Sequence, residues 1–119
     1  GLHWYAIELE SPTAKMFKAD GCMSAKLNHG IEQILDWREW LADNKSMANR
    51  KTSKNGLGLF GIRPSIPGMV FIGRRQQLDD KEQSKRHQLY EDRHILVHSY
   101  DHLLDHIETE SGLWIENRL

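Results

Sequence analysis

The chain has 119 residues, of which 28% are charged, and a formal net charge of −1. That length fits one domain with a modest core and is short for two. No apolar run approaches a membrane span, no secretory leader pattern stands out, and the lone Cys22 excludes an internal disulfide, so a cytoplasmic protein without a membrane partner is expected.

Trp4 to Glu10 reads as a short strand. Alternation places Tyr5, Ile7 and Leu9 on one face and Ala6, Glu8 and Glu10 on the other. The apolar row is expected to enter the core. The acids stand at a spacing that clamps a divalent cation, or else simply face water. Pro12 ends the strand, and Ser11 to Gly21 reads as a loop.

Met23 to Asn44 is predicted as a helix, with Ser24 as its cap and Leu27, Ile31, Ile34, Leu35 and Leu41 as its apolar stripe. Gly30 inside it costs about 1 kcal/mol relative to Ala unless something packs closely there. A second row at helical spacing holds Gly30, Gln33, Trp37 and Trp40. Lys45 to Gly56 is polar. Leu57 to Ile62 and Met69 to Gly73 read as two strands, the second a continuous apolar run of the kind covered on both faces.

Gln77 to Asp92 reads as a helix with Asp79 and Asp80 favouring its first turn. His94 to His98 is a further strand, followed by a helix carrying Leu103, Leu104 and Ile107. This order argues for an α/β domain, a mixed β-sheet flanked by helices, occupying residues 1–119 as one unit. Trp4, Trp37, Trp40 and Trp114 suit core or interface anchors.

Charge is unevenly spread. Between Asn44 and Leu78 there are seven bases and no acid, flanked by acidic segments. Such a belt suits a site that receives a polyanion, and Lys51, Lys54, Arg74 and Arg75 are its candidate contacts. A solvated loop, or arginines bridging to the acidic helix after them, accounts for the same charges.

Several pieces match one family pattern. Ile7-Glu8-Leu9-Glu10-Ser11-Pro12 resembles the (D/E)xK strand of PD-(D/E)xK nucleases, with Glu10 at the Lys position. Gln33-Ile34-Leu35-Asp36-Trp37 resembles the QxxxY motif of their RecB-like branch, with Trp for Tyr. Val70 to Arg75 and Ser99 to Leu104 resemble the IGR and TYDxLL segments of Shedu anti-phage defence nucleases. The resemblance spans residues 4–107. It implies a restriction-endonuclease-like (PD-(D/E)xK) core, metal-dependent action on DNA, and homo-oligomers. The family's first acid lies on a strand before the one bearing Glu8, so the resemblance implies a domain fragment lacking that first strand.

Phosphodiester hydrolysis needs a cation to polarise the phosphate and groups that orient the attacking water. Glu8 is the best candidate ligand for Mg²⁺ or Mn²⁺, being placed on a strand. Glu10 either completes the ligand set or accepts a proton from water, and Gln33 positions water, phosphate or Glu10 through its amide. Lys15 and Lys18 are the nearest amines to stand in for the missing Lys. His98, His102 and His106 fall at intervals of four, but no cysteine pair or HExxH pattern accompanies them, so they read as surface or interface residues rather than a zinc site. The rivals to a nuclease are a catalytically inactive nucleic-acid-binding or assembly module of the same fold, and a protein-interaction domain.

Overall fold

The computed structural model describes residues 3–105. The expectations for His106, Ile107 and Trp114 lie outside the described residues. Three strands, β1 (Ala6–Leu9), β2 (Gly68–Phe71) and β3 (Ile95–His98), alternate with two helices, α1 (Ala25–Asn49) and α2 (Asp80–Arg93). A short 3₁₀ turn spans Thr52–Lys54, and residues 100–105 are again helical.

The strands form one sheet in the order β1-β2-β3. Both pairings are parallel, with Ala6 opposite Gly68 and Glu8 opposite Val70. A mixed sheet was the expectation; the described strands are parallel because every strand-to-strand path crosses over through a helix. The segment 57–62, expected as a strand, supplies none. Gly58 and Gly61 turn it through positive φ, at +70° and +80°. Its amides go elsewhere: Leu57 and Leu59 donate to the carbonyls of Met47 and Ala48, satisfying the last turn of α1.

Helix α1 begins at Ser24, whose hydroxyl accepts from the Leu27 amide at 3.1 Å. It runs five residues beyond the expected stop. Asn44 bends it (φ −126°) without ending it, and its side chain donates to the Trp40 carbonyl. Helix α2 opens on a capping box between Asp79 and Glu82.

Leu27, Ile31 and Ile34 of α1 and Leu89 of α2 share one core with Val70, Ile72, Ile95 and Val97. Met16 and Phe17, read from the sequence as loop, join that core. Gly30 is needed for close approach: a Cβ there would stand 2.8 Å from Val70 Cγ1, and one at Gly68 would stand 2.7 Å from Ile34 Cγ2. The helix therefore lies over Ala6 and Gly68, the smallest side chains of the sheet. That choice reverses the expected burial of β1. Glu8 and Glu10 sit on the helix-facing layer, whereas Tyr5, Ile7 and Leu9 are 49%, 54% and 64% exposed on the other. No helix among the described residues is long and apolar enough to cross a membrane.

Candidate active site

The carboxyl ends of parallel strands are where open α/β sheets present ligand-binding groups. Here that end gathers Glu10, the turn after β2 and the turn after β3. The Glu10 amide donates to the Phe71 carbonyl at 2.8 Å, and the Tyr100 hydroxyl donates to the Glu10 carbonyl at 2.5 Å. Burial, reinforced by the Glu10 charge, holds the Tyr100 hydroxyl above its ordinary pKa. The Glu10 side chain is only 9% exposed, and its Oε1 lies 2.6 Å from His29 Nδ1.

Glu8 is half-buried on the same layer, and its side chain has no hydrogen bond or ion pair among the described residues. Gln33, one helical turn beyond His29, is also half-buried and likewise uncommitted. It lines an open depression of about 310 Å³ with Asp36, Trp37 and Trp40. The two indoles meet edge to face, their centroids 5.7 Å apart. Glu8 thus lies on the sheet face that α1 covers and Gln33 on α1 itself, and no direct bond joins them. No group of three or more His, Cys, Asp or Glu that could hold a metal ion occurs among the described residues.

The turns around this corner lock to one another. Gly73 has φ +69°, and a Cβ on it would stand 2.3 Å from the Ala14 carbonyl oxygen, so only glycine fits. Its amide donates to Ser11 and its carbonyl accepts from Tyr100. Arg74 grips Asp101 through Nε at 3.1 Å and Nη2 at 2.7 Å, while the Arg75 amide donates to the same carboxylate. These bonds, the Arg74 side chain first, pull Asp101 down to about 2. Arg75 Nη2 pairs with Asp105 at 2.6 Å.

Arg74 and Arg75, read as DNA contacts, are therefore both engaged with acids of the 100–105 helix rather than of α2. Lys51 and Lys54 are exposed at the far end of α1, on the order of 30 Å of helix from His29. The structure does not bring them to Glu8. Lys15 is exposed, and Lys18 lies 3.7 Å from Asp20.

Sequence reasoning missed His29 as the partner of Glu10. The signal was present, because His29, Gln33 and Trp37 follow one another at i, i+4 and i+8 on one helix face. Elsewhere, His98 and His102 stack with centroids 3.9 Å apart. Burial lowers His98 to about 4, with His102 and Arg86 adding to the shift. A cleft of about 450 Å³ between α1 and α2, lined by Ile31, Glu32, Lys85 and Arg93 among others, shares no residue with the Glu10 corner.

A family model described as Shedu protein SduA, C-terminal, matches residues 2–104. Neither the curated proteins nor the solved structures yield a match.

Proposed function

Because the chain belongs to the Shedu SduA C-terminal family, a family of anti-phage defence, we propose that it is a metal-dependent nuclease domain hydrolysing phosphodiester bonds in DNA. The observation that carries this reading is Glu8: a half-buried, uncommitted carboxylate on the covered face of a parallel sheet, two residues from the braced Glu10. Mg²⁺ is commonly held by only one or two carboxylates, with water and substrate phosphate completing its shell, so the donor set here fits such an ion without a protein cage. A bound Mg²⁺ or Mn²⁺ would polarise the scissile phosphate and lower the pKa of its water.

Glu8 supplies oxygen donors from a rigid strand, and Gln33 offers an amide to orient water or phosphate from the neighbouring helix. Tyr100 and Phe71 hold the Glu10 backbone in place. The exposed Lys51 and Lys54 extend the DNA path along α1, away from the reacting phosphate. The restriction-endonuclease-like core calls for a further strand beside β1, and the outer edge of β1 with its apolar row is where it would pair. The protein works on DNA in the cytoplasm as a homo-oligomer.

Glu8→Gln should retain the fold and most DNA binding while abolishing Mg²⁺-dependent cleavage of plasmid and linear DNA. The amide is nearly isosteric but lacks the charge that holds a cation, so the loss falls on rate. Wild-type cleavage in that variant overturns the mechanism. Salt-sensitive DNA binding by wild-type protein that never cleaves would establish the non-catalytic module instead.

A further inference from the structure

Trp37 and Trp40 lie on one face of α1, yet only one of them serves as a core anchor. Trp40 packs, partly buried, against the cluster of Leu41, Ala48, Ile62 and Ile66, whereas Trp37 stands 47% exposed beside it. Tryptophan is highly buried on average, so a half-exposed indole on a helix calls for a reason. Edge-to-face contact with Trp40 fixes its ring and makes it a rigid aromatic wall for the open depression of about 310 Å³.

The polar groups around that wall are unspent. The Gln33 amide, the Asp36 carboxylate and the Trp37 indole N–H have no hydrogen bond or ion pair among the described residues. Together they set donors and acceptors beside an aromatic surface. A carboxylate repels phosphate, so the depression suits a flat, uncharged ring that carries N–H groups. Charge beyond it attracts a polyanion. Lys45, Arg50, Lys51 and Lys54 are exposed along and just past the end of α1, again without ion pairs among the described residues. Lys45 follows Trp37 by eight positions, about 12 Å of helix.

We propose that this depression seats one unstacked nucleobase of a single-stranded stretch of DNA, stacked on Trp37 and hydrogen-bonded by Asp36, while the neighbouring phosphates follow the basic residues at the end of α1. The inference rests on the DNA-hydrolysing reading above and deepens it, naming the form of DNA that the site takes. Gln33 borders the depression, so the base sits beside the residue which that reading assigns to water or phosphate. Stacking on indole tolerates any sequence, because every base has a π-face. In a duplex that face is already covered, and presenting it costs unstacking. The carboxylate adds a preference: it accepts from the exocyclic amine of cytosine, which thymine lacks.

The test measures binding by the full chain, with no metal added so that no cleavage intervenes, to oligo(dC), oligo(dT), an abasic strand and a duplex of equal length. Affinity is read from the anisotropy of labelled DNA, and the contact from tryptophan emission. The Trp37 share of that emission, among four tryptophans, is the part lost in Trp37→Phe. Oligo(dC) should quench this share and the abasic strand should not. Trp37→Ala should weaken oligo(dC) binding by about 5- to 150-fold, the worth of one base stacked on an aromatic ring, while Trp37→Phe keeps most of the affinity. Duplex binding should shift by less than about twofold, since phosphate contacts dominate it. Asp36→Ala should remove the preference for oligo(dC) over oligo(dT). Circular dichroism should show all three variants folded, as both side chains are exposed.

Wild-type protein that binds no single strand, equal quenching by the abasic strand, or unchanged oligo(dC) affinity in Trp37→Ala overturns the inference. Its fate separates from that of the nuclease. Metal-dependent cleavage by wild type together with unchanged affinity in Trp37→Ala removes the base site and leaves the nuclease standing. Base-dependent binding through Trp37 without cleavage does the reverse.

Discussion

The two faces of β1 carry opposite chemistry and meet surroundings opposite to those the chemistry would choose. Ala6, Glu8 and Glu10 look toward α1, while Tyr5, Ile7 and Leu9 look away from it and are 49–64% exposed. Hydrophobicity alone would put the second row inside. The deciding factor is shape. Ala6 and Gly68 sit side by side in the register, and Gly30 on the helix lets its backbone descend onto Val70. Close packing between a helix and the smallest patch of a sheet sets which face is covered, and the acids come with it. Their partial burial fixes side-chain direction, and Glu10 obtains His29 as the partner that a buried carboxylate requires.

The largest effect belongs to the covered face. Ile34 is fully buried over Gly68, in contact distance of the place where a Cβ would be. Ile34→Ala should destabilise the chain by about 2–5 kcal/mol, measured by urea denaturation. A loss below about 1 kcal/mol would mean that α1 does not rest there, and the comparison between faces would collapse.

Much of this was legible in the sequence, for reasons that differ from element to element. The Ser24 cap and the stripe through Leu27, Ile31 and Ile34 give α1 by local rules; α2 was expected from Gln77 but starts at Asp80, because Asp79 caps it together with Glu82. The alternation of β1 tells which residues share a face, but alternation has no sign: nothing local says which face a helix will cover. Segment 57–62 looks like a strand by composition, yet the unmet carbonyls at the end of α1 claim its amides. Met16 and Phe17 hid in a loop whose punctuation is polar, because their burial depends on strands far along the chain. At the site, Glu8 lies on the face of β1 that α1 covers and Gln33 on α1 itself, with no bond between them. Arg74 and Arg75 could not be placed from spacing alone, since their partners Asp101 and Asp105 lie a whole helix and strand away.

A smaller effect comes from the end of the open face, where His98 stands beside Phe71 in the register and stacks on His102. Its folded-state pKa of about 4 lies below the ordinary 6.5. Between those values the unfolded chain takes up a proton that the folded chain refuses, so stability falls as pH drops from about 6.5 to about 4. Desolvation is the main cause, with His102 and Arg86 as the facing cations. Replacing His98 with Gln should flatten the pH dependence of Tm across that window. Asp101 leaves its own mark lower down: its stabilisation is present above the ordinary carboxylate pKa and fades as pH falls toward about 2. An unchanged slope in His98→Gln would mean that this end of the open face is as well hydrated as β1's apolar row.

The smallest effect is expected at that row. Leu9 is 64% exposed, so its side chain loses little water contact when the chain folds. In this 119-residue chain, Leu9→Lys should change stability by less than about 0.5 kcal/mol in the same urea experiment. The substitution also places a charge on an edge strand, where lysine opposes pairing with another strand. Any concentration-dependent association through β1 should therefore decrease, which light scattering would register while the unfolding midpoint stays put. A loss approaching that of Ile34→Ala would show that the row is covered after all. The contrast between the faces would then be one of packing partner rather than of exposure, and the acids of the covered face would owe their position to two layers instead of one.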